Sequence, residues 1–162
     1  MNPLPDLAFD RVAAPTPEVV ALLEALDRDL GGPYEPEQRH ALPLDRLFQP
    51  HIRFFLARLR GAAVACGGIA FLDGYAELKR MYAAPAVRGT GVAKALLQRL
   101  EAEARDAGTG LLRIETGCHQ LAALRFYEAA GYRACGPFGP YAEMPAAAIE
   151  TSRFYEKVLP PG

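Results

Sequence analysis

The first third of the chain alternates between apolar stretches and segments broken by proline and glycine. Residues 7–13 have the apolar and polar pattern of a short first strand. Residues 16–18, Thr-Pro-Glu, then supply an N-cap, a proline in the first helical position and an early acid, which predicts a helix ending at the glycine pair 31–32. Four prolines in residues 33–50 leave room for a loop and one short helix over 36–42, and this segment could form a wall of a substrate site.

The middle of the chain contains three runs with strand-like composition. They cover residues 51–59, 62–72 and 75–83 and are separated by Arg-Gly at 60–61 and Asp-Gly at 73–74. Asp-Gly between apolar runs is a strong hairpin signal. The pattern therefore predicts an antiparallel meander of three strands.

The pattern turns helical after residue 85 and ends in a second group of strands. Gly108 ends the helix that begins after residue 85, and residues 111–117 are apolar enough for a strand buried on both faces. A helix is predicted over 121–131, and further strands over 132–138 and 152–159. The apolar stripe of the helix that ends at Gly108 consists of Val92, Leu96, Leu100, Ala104 and Ala107.

These elements form a mixed α/β arrangement with one strand-helix-strand crossover, at which we expect the functional site. The length of 162 residues predicts a single domain over residues 1–162.

With 18 basic and 19 acidic residues, the net charge of −1 argues against a nucleic-acid partner. No apolar run reaches the roughly 20 residues of a membrane span, and the first residues do not resemble a secretion signal, so we expect a cytoplasmic protein with no membrane partner. Three cysteines and three histidines lack ligand spacing, so no metal site is expected.

A glycine loop, Arg88-Gly-Thr-Gly-Val-Ala93, connects the third strand of the meander to the following helix. Glycines let the backbone turn tightly and present unpaired amide N–H groups at the positive end of the helix dipole, which suits a diphosphate. A glycine-rich turn needed only for packing is an equally good interpretation of this motif by itself. The loop lacks the third glycine of the dinucleotide-binding fingerprint and the lysine pattern of nucleotide triphosphatases, which disfavours those ligands.

The whole succession over residues 76–134, with R-x-x-G-x-A at 88–93, then LLRIETG and ALRFYEAAGY, closely resembles the coenzyme-A-binding core of the GNAT superfamily of N-acetyltransferases. The resemblance implies an enzyme that transfers an acetyl group from acetyl-CoA to an amine. It also implies the GNAT-like α/β fold: a mostly antiparallel sheet, flanked by helices and splayed between its fourth and fifth strands, with the coenzyme in the opening.

The resemblance also assigns coenzyme contacts residue by residue. Pantetheine carries two amides and can bind an exposed strand edge like an added strand. Gln120 stands where many relatives have an asparagine that binds the pantetheine arm, and the longer side chain changes the reach of that contact. The implied strand contacts are Met81, Tyr82 and Ala83; the implied diphosphate contacts are Arg88, Gly89, Thr90, Gly91, Val92, Ala93 and Lys94; Ala123 lies beside the same channel.

The catalytic assignments follow from the same resemblance. Tyr127 matches a tyrosine that donates a proton to the leaving thiolate, although it could instead be a packed aromatic residue of an amphipathic helix. Glu77 is the first candidate for the general base, and pairing with Lys79 or Arg80 is the competing interpretation. Glu115 is the second candidate, and a reaction without a dedicated base stays open.

The acceptor site is expected opposite the coenzyme. An arginine in the pocket, Arg53 or Arg80, would favour an amine that carries a carboxylate, whereas an acidic pocket would favour a polyamine or an aminoglycoside. A small-molecule amine is the leading acceptor; a protein or peptide amine and a non-catalytic coenzyme sensor stay open, as does a homodimer. The predicted walls are Tyr34, Arg39 and His40 on one side and Phe138, Tyr141 and Glu143 on the other.

Overall fold

The computed structural model describes residues 4–31 and 34–161. The glycine and proline at positions 32 and 33, at which the first helix was expected to end and the loop to begin, lie outside the described residues. The helices and strands of the described residues are β1 (Leu7–Val12), α1 (Pro17–Gly31), β2 (Ile52–Leu59), β3 (Ala62–Phe71), β4 (Ala76–Ala83), α2 (Val92–Asp106), β5 (Leu111–Gly117), α3 (Leu121–Ala129), β6 (Arg133–Cys135), α4 (Ala146–Ile149) and β7 (Ser152–Val158).

The strands form one mixed sheet in the order β1-β2-β3-β4-β5-β7-β6. The predicted meander of β2, β3 and β4 is confirmed, and β1 extends it as an antiparallel edge strand. β4 and β5 run parallel and pair only at Ala76 with Leu112 and at Glu77 with Arg113. Beyond these two pairs the strands diverge, as the fold prediction requires of the fourth and fifth strands. β7 pairs with the whole length of β5 and separates it from β6.

Both faces of the sheet are covered by helices. Successive side chains of a strand point to opposite faces, so Phe54 and Leu56 of β2 pack under α1 with Val19 and Leu23. Phe55, the residue between them, belongs to the other core, which is built on α2 and its apolar stripe. The continuous apolar run of β2 is explained by this burial on two sides.

Two predictions about short elements are wrong, and one short element was not predicted. The helix expected over 36–42 is only a 3₁₀ turn at Pro36–Gln38, followed by a second turn at Leu44–Arg46, because a residue before a proline disfavours the helical conformation and Leu42 precedes Pro43. β6 has three residues instead of the seven expected over 132–138, and the proline at 137 has no N–H for a ladder. The one-turn helix α4 was not predicted. No helix within the described ranges is long and apolar enough to span a bilayer.

Candidate active site

The divergence of β4 and β5 opens a cavity of about 790 Å³. Its walls are β4 from Glu77 onward, the end of α1, the glycine loop with the start of α2, the end of β5, α3, and the segment 34–42, which we call the strap. Tyr141, from a 3₁₀ turn before α4, also lines the cavity. Polar side chains and open backbone edges from distant parts of the chain therefore meet in one cavity.

A β-bulge shapes the edge of β4 that faces the cavity. The pairing of β3 with β4 shifts register between Cys66 and Gly68, and Arg80 adopts a left-handed φ of 56° at this irregularity. Beyond Glu77 the β5-facing edge of β4 has no strand partner within the described residues. The predicted strand contacts, Met81, Tyr82 and Ala83, all line the cavity along that edge.

The glycine loop has the backbone that its sequence suggests. Gly89 and Gly91 have φ values of 78° and 93°, which side-chain-bearing residues rarely adopt. Their N–H groups donate to no acceptor among the described residues, and the first N–H groups of α2 are unpaired as at every helix start. Thr90 and Val92 do not line the cavity: the Thr90 hydroxyl donates to the Val87 carbonyl, and Val92 is buried. Their side chains hold the loop, so only their backbone could meet a ligand.

Two basic residues flank this loop. The Arg88 guanidinium donates to the Ala83 carbonyl at 3.1 Å and to the Asp29 carboxylate at 3.2 Å, and it lies over the Tyr82 ring. Lys94 is exposed on the first turn of α2 and lines the cavity. Both side chains add positive charge beside the unpaired amides.

Tyr127 projects from α3 into the cavity with only 4% of its surface exposed. Phe126 and Tyr132 pack edge-on against its ring, at centroid distances of 5.2 and 5.6 Å. Burial raises the pKa of the Tyr127 phenol above its usual value, so the group keeps its proton at neutral pH. Its hydroxyl makes no hydrogen bond within the described part of the chain, and the proton is available to a ligand.

Glu101, Tyr132 and Lys157 form a cluster behind Tyr127, which we call the core triad. Glu101 and Tyr132 are buried, and Lys157 is partly exposed. The Tyr132 hydroxyl and the Lys157 ammonium both donate to Oε2 of Glu101, at 2.9 and 3.0 Å. Lys157 also donates to the Ala130 carbonyl at 2.8 Å. The core triad joins α2, the end of α3 and β7, and none of its members lines the cavity.

A second cluster of the same composition, the cavity triad, consists of Glu77, Lys79 and Tyr141. Oε2 of Glu77 accepts the Tyr141 hydroxyl at 2.8 Å and lies 3.0 Å from the Lys79 ammonium, which also lies 3.3 Å from the Tyr141 oxygen. Burial and the Glu77 charge raise the pKa of the Tyr141 phenol, so it acts as a donor. All three residues line the cavity, and the predicted pairing of Glu77 with Lys79 is present.

Glu115 lies on β5 across the opening from this triad and also lines the cavity. Its Oε2 accepts the Ser152 hydroxyl at 2.7 Å. Burial raises the pKa of the Glu115 carboxyl, and it outweighs the hydrogen bond from Ser152 and the nearby positive charge of His40, which lower the pKa. A carboxylate whose proton affinity is raised in this way is suited to accept a proton.

The strap forms the wall of the cavity at which an acceptor site was expected. The Tyr34 ring packs against Gly117, and its hydroxyl accepts the His119 N–H at 2.9 Å. Arg39 donates to the Tyr34 carbonyl at 2.8 Å, and His40 donates through Nε2 to the Ala148 carbonyl of α4 at 2.8 Å. The strap is therefore attached both to the β5–α3 turn and to α4.

Three candidate residues, Phe138, Glu143 and Arg53, do not line the cavity, and a fourth, Arg80, lines it with its guanidinium already paired. Phe138 is buried in an aromatic cluster with Tyr75 and Phe154, and Glu143 is exposed; neither lines the cavity. Arg53 pairs with a carboxylate of α2, and Arg80 reaches the cavity wall but its guanidinium is bound by Asp27 at 2.6 and 3.2 Å. The condition that an unpaired arginine faces the pocket is therefore not met by Arg53 or Arg80, and the role of Arg80 in substrate binding stays a prediction.

Lys79 was predicted only as an ion-pair partner of Glu77. The alternation of β4 was the available signal, because it places Lys79 on the same face as Glu77. The attachment of the strap to α4 had no comparable signal, since α4 itself was not predicted.

A model of the acetyltransferase (GNAT) family matches residues 19–132. The chain belongs to the GNAT family. This GNAT chain is 42% identical over 158 residues to a protein named IAA acetyltransferase from Azospirillum brasilense, a match that covers 96% of this chain and 100% of the relative. It is 35% identical over 121 residues to the "uncharacterized N-acetyltransferase YsnE" of Bacillus subtilis, covering 73% and 80% of the two chains. A solved structure from Klebsiella pneumoniae, described as an acyl-CoA N-acyltransferase, aligns with a TM-score of 0.77 at 34% identity and covers 98% of this chain and 99% of that one.

The GNAT resemblance predicted from residues 76–134 is thus confirmed, together with the fold and the enzyme class, an acetyl-CoA-dependent N-acyltransferase. The roles of individual residues stay predictions. All of the predicted coenzyme contacts except Thr90 and Val92 line the cavity of this GNAT domain, and these include Gln120 and Ala123.

Proposed function

We propose that the protein transfers the acetyl group of acetyl-CoA to the primary amine of a small molecule by direct attack of the amine on the thioester. The observation that carries this proposal is the cavity between β4 and β5, which brings the unpaired loop amides, the Tyr127 hydroxyl and the Glu115 carboxyl to one space. A structural neighbour from Elizabethkingia anophelis, alike in fold at a TM-score of 0.66, has acetyl-CoA bound.

The chain offers a separate group for each part of the coenzyme. The edge of β4 at residues 81–83 would bind pantetheine as an added strand, with Gln120 beside it. The amides around Gly89 and Gly91, with Arg88 and Lys94, would hold the diphosphate by hydrogen bonds and charge. Acetyl-CoA supplies a thioester whose carbonyl carbon accepts the amine and whose sulfur departs as a thiolate.

The proton transfers are assigned to two side chains. A carboxylate takes the proton of the substrate ammonium, which frees the lone pair of the nitrogen for attack. Tyr127 donates its phenolic proton to the departing thiolate, and burial keeps that proton in place until then. The proton that the new amide nitrogen loses restores the phenol.

The geometry favours Glu115 over Glu77 as the carboxylate that takes this proton. Oε2 of Glu77 already accepts from Tyr141 and lies beside the Lys79 ammonium. Glu115 has a raised pKa and a single neutral donor, Ser152. In this scheme Glu77 positions Lys79 and Tyr141, while its prediction as the base stays a prediction.

The strap supports a small acceptor instead of a protein. Gln38 donates to the Ala147 carbonyl and to Glu150 at 3.4 and 3.1 Å, and His40 donates to Ala148. These contacts place α4 against the strap on the acceptor side, where a peptide would need an open groove.

The test is calorimetric titration with acetyl-CoA, followed by thiol release in the presence of amines, amino acids and lysine peptides. Tyr127→Phe should bind acetyl-CoA as the wild type does, while kcat falls by about 10²- to 10⁴-fold. Tyr155→Phe is the matched control, because Tyr155 is a buried tyrosine that does not line the cavity. Acetyl-CoA binding without thiol release from any acceptor would favour a sensor, and turnover of peptides alone would favour a protein substrate.

A further inference from the structure

The acceptor half of the cavity, lined by the strap, the cavity triad and Glu115, holds hydrogen-bond donors that the protein itself does not use. The Lys79 ammonium carries three hydrogens. Only Glu77 and Tyr141 lie within hydrogen-bonding distance of it among the described residues. One hydrogen of a side chain that is 17% exposed is therefore left for a ligand.

Tyr34 provides a second unused donor. Its oxygen accepts the backbone N–H of His119 at 2.9 Å and lies 3.5 Å from Nε2 of Gln120. A phenol also carries one hydrogen of its own, and that hydrogen has no acceptor in the described ranges. Tyr34 is 7% exposed and lines the cavity, so a bound ligand would be the partner for this hydrogen.

The unused acceptors belong to the two carboxylates. The hydrogen bonds of Glu77 and Glu115 fall on Oε2, and Oε1 of each accepts from no donor that the structure describes. An ammonium group is complementary to these oxygens. The strap adds a basic side chain, Arg39, and the Asp27 and Arg80 side chains of the wall pair with each other, which disfavours a ligand with several positive charges.

A ligand that pairs with the two unused donors and with the two unused carboxylate oxygens needs an acceptor-only group at one end and an ammonium at the other. We propose that the acceptor is an amine that also carries a carboxylate, such as a free amino acid, an inference that rests on the proposed function. The ammonium binds at Oε1 of Glu77 and Glu115, and the carboxylate receives hydrogen bonds from Lys79 and Tyr34. A polyamine brings donors only and leaves both of these donors unpaired, which costs binding free energy.

The experiment compares free amino acids with their carboxamides, which have the same amine and side chain but no negative charge. Thiol release should give a kcat/KM for the amino acid that exceeds that of its amide by about 10- to 100-fold, the size of one or two hydrogen bonds to a charged group. Equal use of both compounds, or preference for the amide, would overturn this inference and leave the transferase intact. No release from any amine would overturn the transferase and this inference together, and acetyl-CoA titration separates that case from misfolded protein.

Variants identify the residues responsible. Lys79→Met and Tyr34→Phe should each reduce the ratio of amino acid to amide activity by about 10-fold, while Lys79→Arg, which keeps the charge, should retain most of it. A fall in both activities by the same factor would mean that these side chains serve the coenzyme, and it would contradict the inference. Lys157→Met is the matched control: it removes a lysine bound to a buried glutamate in the same way but outside the cavity, so the ratio should not change.

Discussion

The core triad and the cavity triad are chemically the same and differ in what surrounds them. In each, one glutamate Oε2 accepts a tyrosine hydroxyl, at 2.9 Å in the core triad and 2.8 Å in the cavity triad, and lies 3.0 Å from a lysine ammonium. The core triad ties α2, α3 and β7 together, whereas every member of the cavity triad lines the space between β4 and β5. A Glu-Tyr-Lys cluster is thus no sign of function by itself.

Position relative to the cavity decides what each cluster does. Lys157 uses a second hydrogen on the Ala130 carbonyl at the end of α3, so the cluster secures the backbone. Lys79 lies within hydrogen-bonding distance of Tyr141, another member of its own triad, and lines the cavity. We therefore expect substitutions in the core triad to lower the stability of the fold, and substitutions around the cavity triad to lower kcat/KM.

The largest effect is expected from Glu101→Ala, which leaves the Lys157 charge and the Tyr132 hydroxyl without their carboxylate. Tyr132 is buried, so an unpaired hydroxyl there costs about 1–3 kcal/mol, which for a chain of this size lowers Tm by about 2–12 °C. Glu77→Ala should cost less, because Lys79 and Tyr141 still lie within hydrogen-bonding distance of each other. Thermal and denaturant unfolding of both variants measure the difference, and equal losses would contradict the distinction between the triads.

The next effect concerns the two carboxylates of the cavity. Glu115→Gln should lower kcat/KM by about 10²-fold or more at neutral pH, and it should remove the limb that rises with pH as the raised pKa of Glu115 is passed. Glu77→Gln should keep that limb, since it disturbs Lys79 and Tyr141 and leaves the base in place.

The pH profiles of kcat/KM for the wild type and both variants are the measurement. Loss of the limb in Glu77→Gln with its retention in Glu115→Gln would reverse the assignment of the base. A limb set by ionisation of the substrate amine would persist in all three proteins and is recognised by its shift with the amine used.

The two halves of the cavity differ in how far the sequence predicts them. The coenzyme half comes from continuous segments, residues 81–83 and 88–94, where glycines and a strand-loop-helix order carry a local signal. The acceptor half brings together Tyr34, Lys79 and Tyr141, which are far apart in the chain. The position of Lys79 beside Glu77 depends on the register of the sheet. No local pattern fixes which of these side chains meet.

Short elements account for most of the remaining errors. One-turn helices such as α4 have too few residues for a hydrophobic period, and α4 is the element that positions the strap through His40. Arg80 illustrates a different limit: its left-handed φ of 56° comes from the bulge in β4, which breaks the regular alternation on which the sequence reasoning depended. The guanidinium of Arg80 pairs with Asp27, a contact that was not predicted.

The smallest effect is a gain in stability from Glu115→Gln. Because the pKa of Glu115 is raised above its model-compound value of 4.5, the folded chain binds this proton more tightly than the unfolded chain does. Stability is therefore lost as pH rises from the ordinary carboxyl pKa through the raised one, and the full loss is present above it. The amide removes this cost and can still accept the Ser152 hydroxyl, so the variant should melt slightly higher than the wild type at neutral pH and at the same temperature below pH 4.5.

Melting curves across this range measure that effect, with Glu143→Gln as the control at an exposed position outside the cavity. A variant that melts lower than the wild type at neutral pH would mean that the ionised carboxylate is stabilised by its neighbours His40 and Lys79, and that burial does not dominate. The same charge balance decides whether Glu115 can hold a proton during turnover. A variant more stable and less active than the wild type would thus identify a group whose burial is kept for catalysis at the expense of the fold.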